Sequence, residues 1–268
     1  MSLKTEILSY LSPDHPWRQQ IHWLESAEST NTLAKALAAE SAPHGTVVIA
    51  DSQTGGRGRL GRSFFSPAGK GIYLSLILRP KCLPHELMHL TCAAAVAACD
   101  AITGVTQLRP DIKWTNDLIL NGKKLGGILT ELSFFPGNEG GYAAIIGIGI
   151  NCSQKKEDFD PSIRHIATSL SIAGWANPSR ARLCAAMVQA LQEMDAALLE
   201  NKASILSRYR QNCITIGKDV CILRGEEVQH GHAVDIDDSG ALLVSFPDGH
   251  TEAVNSGEVS VRGLYGYV

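Results

Sequence analysis

The dipeptide Asn121-Gly122 constrains the fold of this chain more than any other pair of residues. It stands between two apolar runs, Leu118–Leu120 and Leu125–Leu132. Asn-Gly accepts φ > 0 at both central positions of a two-residue turn, so it predicts an antiparallel hairpin. Ile21–Leu24, Thr46–Ala50, Ile72–Leu78, Ile112–Trp114 and Tyr142–Ile150 are β-branched or apolar runs that read as further strands. Residues 4–11 predict a short helix that ends at Ser12-Pro13, and Leu33, Ala34, Leu37 and Ala38 have helical spacing after a start at Glu28-Ser29-Thr30-Asn31. A long helix is expected from Pro84 to about Thr103, and another over Arg180–Leu199. The expected class is α+β, with a central mixed, largely antiparallel sheet flanked by helices.

The texture changes after about residue 213. Lys218–Leu223, His232–Ile236, Ala241–Ser245 and Glu258–Val261 read as short strands separated by Arg224-Gly225, Asp237–Gly240 and Pro247-Asp248-Gly249. This pattern predicts a small β barrel of about 50 residues. The expected division is therefore 1–213 and 214–268, with no repeats and no long linker.

A chain of 268 residues, 44% hydrophobic and 19% charged, has ample material for packed cores. Its net charge of −3 argues against a general nucleic-acid binder. The N-terminus has no basic n-region followed by an apolar h-region, and the run around Thr91–Ile102 is interrupted by Asp100. A soluble, cytoplasmic protein without a membrane span is expected. The seven cysteines (Cys82, Cys92, Cys99, Cys152, Cys184, Cys213 and Cys221) include no C-x-x-C pair, and they read as reduced packing residues rather than metal ligands.

Against this acidic background, Gly55-Gly56-Arg57-Gly58-Arg59-Leu60-Gly61-Arg62 packs four glycines and three arginines into eight residues. Glycine lets backbone approach a ligand closely, and arginine offers a permanent forked charge suited to phosphate and carboxylate. On its own the loop fits a solvated basic turn as well as an anion site. It lacks the lysine followed by Ser or Thr of a Walker-type phosphate loop. Three further segments stand out: Glu28-Ser29-Thr30-Asn31; Lys113-Trp114-Thr115-Asn116-Asp117 followed by Lys123-Lys124-Leu125-Gly126-Gly127; and Gly147-Ile148-Gly149-Ile150-Asn151, whose glycines suggest a ligand close to the backbone.

In combination and order these segments resemble the biotin–protein ligases, over roughly residues 21–265. The match is to the short class, which has catalytic and C-terminal domains only; there is too little chain before the first strand for a helix-turn-helix domain. The resemblance implies a catalytic domain similar to the class II aminoacyl-tRNA synthetases and an SH3-like C-terminal barrel. It implies a two-step reaction. The carboxylate of biotin attacks the α-phosphate of Mg-ATP to give biotinyl-5′-AMP and pyrophosphate, and a lysine of a biotin carboxyl carrier protein of acetyl-CoA carboxylase then takes the biotinyl group and releases AMP.

By the same resemblance, Arg59 and Lys124 hold the biotin carboxylate and the adjoining α-phosphate, and Arg62 assists at the phosphates. Ser29, Thr30 and Gln53 hydrogen-bond the ureido ring, the backbone around Gly56-Arg57 lines the biotin pocket, and the Lys124–Gly127 segment braces the valeryl chain. Arg57, Phe64 and Asn116 fall on the nucleotide side, and Asn151 faces the adenine. Asp117 has three open roles: a Mg²⁺ ligand, a partner for the acceptor lysine, or a salt bridge to Lys113. Two positions depart from the family pattern. Thr115 stands where proline is commonest, and Phe64 stands where many members have tryptophan. Rival readings are a lipoate–protein ligase or octanoyltransferase, and a non-catalytic biotin sensor. The expected assembly is a monomer or a homodimer.

Overall fold

The computed structural model describes residues 2–135, 141–176, 178–255 and 260–263. Two apolar runs form the middle of its main sheet, because a strand covered on both faces buries side chains of both parities. These are β3 (Gly71–Leu78), buried at every residue, and β7 (Tyr142–Asn151), which pairs with it antiparallel. On one side β2 (Thr46–Gln53) pairs antiparallel with β3, and β1 (Ile21–Ala27) runs parallel to β2. On the other side β6 (Lys123–Phe134), β5 (Asp117–Leu120) and β4 (Asp111–Lys113) follow antiparallel. The order is β1-β2-β3-β7-β6-β5-β4, the mixed and largely antiparallel sheet expected. Asn121 (φ 52°) and Gly122 (φ 72°) form the two-residue turn between β5 and β6, with both central residues left-handed.

Helix α2 (Thr30–Ala39) covers one face, with Ala34 and Ala38 against Val48, Ile77, Ala143 and Ile145. Helices α1 (Leu3–Tyr10), α3 (Leu90–Thr106) and α4 (Arg180–Ala197) cover the other, over Val47, Ile49, Leu74, Leu76, Ile146 and Ile148. Each large aliphatic side chain buried there contributes about 1.5–3 kcal/mol of transfer free energy.

Four expectations need correction. The helix expected to open at Pro84 does not run on unbroken: Pro84–Leu87 is one 3₁₀ turn, and α3 starts at Leu90 and continues past Thr103 to a left-handed Gln107. By length and composition Pro84–Thr106 would suffice to cross a bilayer, contrary to the sequence reading, but α3 is packed on the sheet, α4 and α5 (Lys202–Asn212). Helix α5 was not expected, although Ile205, Tyr209 and Cys213 repeat every four residues. The short strand β11 (Thr251–Val254) was also missed.

The C-terminal strands β8 (Asp219–Arg224), β9 (Glu227–Ile236), β10 (Leu242–Ser245), β11 and β12 (Ser260–Gly263) form a second sheet in the order β11-β10-β9-β8-β12. Part of the expected strand Glu258–Val261 lies outside the described residues. Cys213 bridges Ile112 in parallel and Ile214 N–H donates to the Ile112 carbonyl (2.9 Å), so the chain enters this sheet stitched along β4. All seven cysteines are free thiols, and burial pushes Cys92, Cys99, Cys152 and Cys184 up to about 12.

Candidate active site

The glycine–arginine segment folds as a small hairpin on the end of β2. Gln53 bridges Ser66, Arg57 bridges Ser63, Phe64 N–H donates to the Gly56 carbonyl (2.8 Å), and Gly58 N–H donates to the Arg62 carbonyl (2.7 Å). Its tip, Arg59-Leu60-Gly61, turns through φ of 54° at Leu60 and 71° at Gly61. Only two of the four glycines have a physical requirement. Gly61 supplies the positive φ, and a Cβ on Gly56 would lie 2.4 Å from the Phe64 carbonyl oxygen. Arg59 Nη1 donates to Asn116 Oδ1 (3.1 Å), which lays the tip across a cavity, and Arg57 meets Glu28 at 3.3 Å at the exposed rim.

The rear of the cavity is a neutral hydrogen-bonding wall at the N-terminus of α2. Ser29 caps the helix by accepting from Thr32 N–H (3.4 Å). The Thr30 N–H and hydroxyl both donate to Gln53 Oε1 (2.8 and 3.0 Å), and Gln53 Nε2 donates to Ser66 Oγ (2.8 Å). The Ser75 hydroxyl lies 2.6 Å from Asn31 Oδ1 and 2.8 Å from Thr30 Oγ1; Asn31 Nδ2 donates to Glu131 Oε2 (2.8 Å) and the Leu129 carbonyl (3.2 Å). Ser29, Thr30, Asn31 and Ser75 are all buried, and hydrogen bonding offsets their desolvation.

The opposite wall depends on a bulge. Asp117 pairs with Gly127 and Leu118 with Gly126, but Ile119 pairs with Lys124, so Leu125 is an extra residue in β6. In a regular strand Lys124 and Gly127 would face opposite sides. The inserted residue turns Lys124 onto the face of Asp117, and its Nζ donates to Asp117 Oδ1 at 2.5 Å. Gly126 makes room at the bulge, since a Cβ there would lie 2.3 Å from the Gly149 carbonyl oxygen. The Lys124 backbone is fixed outside the hairpin: its N–H donates to the Ile166 carbonyl (2.7 Å) and its carbonyl accepts from Thr168 N–H (2.9 Å). Asn116 ties the β4–β5 turn to β6 by donating to the Ile128 carbonyl (2.8 Å). The Trp114–Thr115 peptide in that turn is cis.

These walls enclose about 440 Å³, within the range of small-molecule sites. Arg57, Arg59, Arg62, Lys113 and Lys124 line the cavity, with Asp117 its one carboxylate among the described residues, so the excess charge is strongly positive. Burial lowers the pKa of Arg59, and Asp117 opposes that shift. The Lys124–Asp117 pair sits in the cavity wall and keeps some solvent exposure. The cavity can therefore hold a neutral polar group at the rear and one or two anions at the front.

Residues 23–151 match the Biotin/lipoate A/B protein ligase family, and residues 215–262 match the biotin protein ligase C-terminal domain. A Biotin--[acetyl-CoA-carboxylase] ligase of Mycobacterium tuberculosis is 34% identical over 91% of this chain and 89% of its own length. The bifunctional ligase/repressor BirA of Bacillus spizizenii is 35% identical over 92% of this chain and 73% of its own length. The chain belongs to the biotin protein ligases. The fold agrees: a biotin protein ligase from Aquifex aeolicus, solved in complex with biotin and ATP, superposes with a TM-score of 0.78 at 29% identity, over 91% of this chain and 99% of the other.

In this biotin protein ligase Ser29, Thr30, Gln53, Arg57, Arg59, Arg62, Phe64, Asn116, Asp117, Lys124 and Gly127 converge on the one cavity. Gly56 does not line it; that glycine is buried in the loop hairpin behind Phe64. Asn151 also lies outside the lining. It is buried, donates to the Thr168 carbonyl (3.0 Å) and accepts from Gln154 Nε2 (3.0 Å), so its amide knits β7 to the following segment. The strand-end glycines Gly147 and Gly149 line the cavity, in keeping with the expectation, and they have a packing role as well. A Cβ on Gly147 would lie 2.1 Å from Asn31 Oδ1, and one on Gly149 would lie 2.5 Å from the Phe64 ring, so both make room for side chains of the ligase itself. Asp117 has Lys124 among its partners in the cavity wall. Sequence reasoning assigned no role to Asn31 and overlooked Ser75; a lone serine inside the apolar run Ile72–Leu78 was the available signal.

Proposed function

We propose that this biotin protein ligase attaches biotin to one lysine of a biotin carboxyl carrier protein in two steps within this cavity. In the first step a biotin carboxylate oxygen bonds to the α-phosphorus of ATP, the α–β bridging P–O bond breaks, and pyrophosphate leaves. In the second step the neutral ε-amine of the acceptor lysine bonds to the acyl carbon, the C–O bond to phosphate breaks, AMP leaves, and the amine gives up a proton.

The observation that carries this reading is the sorting of the cavity into a neutral wall and a cationic mouth. Two unit negative charges 4 Å apart repel by about 4 kcal/mol at an effective dielectric of 20, so a carboxylate needs fixed cations to reach a polyphosphate. Arg59 and Lys124 hold the carboxylate and the α-phosphate between them, with Arg57 and Arg62 beside the outer phosphates. Thr30 spends its hydroxyl proton on Gln53, which leaves the Ser29 hydroxyl proton and the second Gln53 amide proton for the ureido carbonyl. Phe64, edge-on to Tyr73, closes the apolar side (ring centroids 6.4 Å apart).

A single carboxylate is enough protein contribution for a Mg²⁺ that is held mainly by substrate phosphates, so Asp117 would hold it. When bound, the ion neutralises charge on the departing pyrophosphate. Asp117 leaves Lys124 as substrate anions take up the ammonium, and it then stands within reach of the acceptor lysine. Free thiols and the use of ATP support a cytoplasmic setting for the reaction.

Biotin-dependent exchange of pyrophosphate into ATP tests the first step. Exchange stimulated by biotin and not by lipoate supports this reading. Stimulation by lipoate alone would make the chain a lipoate ligase, and no exchange with either would leave a biotin sensor.

A further inference from the structure

The turn Lys113–Asp117 carries Asn116 and Asp117 to the cavity, but it is anchored from behind by residues that lie outside the cavity. Trp114 N–H donates to Thr215 Oγ1 (2.9 Å), Trp114 Nε1–H donates to the Gly240 carbonyl (3.0 Å), and the Tyr209 hydroxyl donates to the Thr115 carbonyl (3.0 Å). The last of these acts on the peptide group that leads directly into Asn116. Asn116 has a constrained position: its carbonyl accepts from Ile128 N–H (2.9 Å), its Nδ2 donates to the Ile128 carbonyl, and its Oδ1 receives Arg59 Nη1. A continuous chain of hydrogen bonds and covalent links thus runs from α5 to the guanidinium at the tip of the loop.

We propose that Tyr209 is a positioning residue for adenylation: its hydroxyl fixes the Thr115 carbonyl and so aims Asn116, and through it Arg59, into the cavity. This rests on the functional reading above. Tyr209 is fully buried in α5 beside Cys92 and Cys213, and it does not line the cavity. Burial raises its phenol well above the usual range, so it remains a protonated donor at any working pH. Without the hydroxyl the Thr115 carbonyl loses a buried partner, and the turn relaxes toward whatever else can satisfy it. Folding then loses the phenol's local hydrogen bonds, whereas a rate that depends on donor placement responds steeply to small displacements.

The test is Tyr209→Phe in the full chain, which keeps the ring and removes only the hydroxyl. Biotin-dependent pyrophosphate exchange should show kcat reduced about tenfold, with the KM for biotin within about twofold of wild type. The same substitution in an Asn116→Ala background should change kcat by less than about twofold, because the route to Arg59 is already cut. Circular dichroism and a thermal melt establish that each variant is folded at the assay temperature. Wild-type kcat and KM in Tyr209→Phe would overturn the proposal, as would an undiminished tenfold loss in the Asn116→Ala background. A wild-type chain without biotin-dependent exchange would overturn both this inference and the functional reading, an outcome distinct from either result on the variants.

Discussion

Lys124 shows how one backbone irregularity sets the chemistry of a side chain. Its ammonium faces the cavity because Leu125 is an extra residue in β6, and Gly126 is the residue that lets the bulge pack against Gly149. Lys124→Ala should remove one of the two cations proposed to bracket the reacting oxygens. Loss of a preorganised charge of this kind costs on the order of 10²–10³ in rate. The expected outcome is a fall of that size in biotin-dependent pyrophosphate exchange with the fold intact by circular dichroism; exchange at the wild-type rate would remove Lys124 from the site. At this scale the sequence was informative about identity and silent about geometry. Lys124, Arg59 and Asp117 stand out in their motifs, but nothing in Lys-Lys-Leu-Gly-Gly states that Lys124 and Gly127 share a face. Asn151 illustrates the converse: a polar residue after a glycine-rich strand looks like a ligand contact, yet it lies outside the cavity lining and bonds Thr168 and Gln154.

At the scale of elements, the glycine–arginine hairpin is the part most exposed to ligand control. At its tip Leu60 is more than half exposed, and Arg59 ties the tip to Asn116 on the neighbouring turn. Biotin with ATP should therefore slow tryptic cleavage between Arg57 and Arg62, and equal cleavage with and without ligands would show that the loop is already ordered. Gly56→Ala should act differently, because its Cβ would meet the Phe64 carbonyl at 2.4 Å and force the hairpin open. That variant is expected to lose adenylation while the melting temperature stays near wild type, since the hairpin lies outside the main core. The strands of the main sheet were legible because continuous apolar runs and the Asn-Gly turn are direct physical signals. Helix α5 was not, because its polar face outnumbers Ile205, Leu206 and Tyr209. The kink after Pro84 was missed because helix propensity continues through it.

At the scale of the whole molecule, buried histidines connect distant parts of the fold to pH. His89 at the start of α3 is fully buried against the Leu198 carbonyl after α4 (2.9 Å), and burial is the main cause of its lowered pKa. Burial and Arg18 lower His15 in the same direction. A histidine whose folded pKa lies below its unfolded value of about 6.5 takes up its proton only on unfolding, so its contribution to stability is lost as pH falls through that value. His44, raised by its hydrogen bond to Asp195, contributes with the opposite sign and is lost as pH rises. The urea midpoint should fall between pH 7.5 and 5.5, and His89→Gln, which keeps a donor for Leu198, should shrink that fall; an identical fall in the variant would mean that His89 does not titrate on unfolding. The two sheets are joined along β4 and through Trp114, behind the cavity proposed to transfer biotin to a protein lysine. The most direct measurement is mass spectrometry of a purified biotin carboxyl carrier domain incubated with this chain, biotin, ATP and Mg²⁺. A gain of one biotinyl group on one lysine, dependent on ATP and abolished by Lys124→Ala, is the expected result; an unmodified carrier, or one modified only when lipoate replaces biotin, would contradict it.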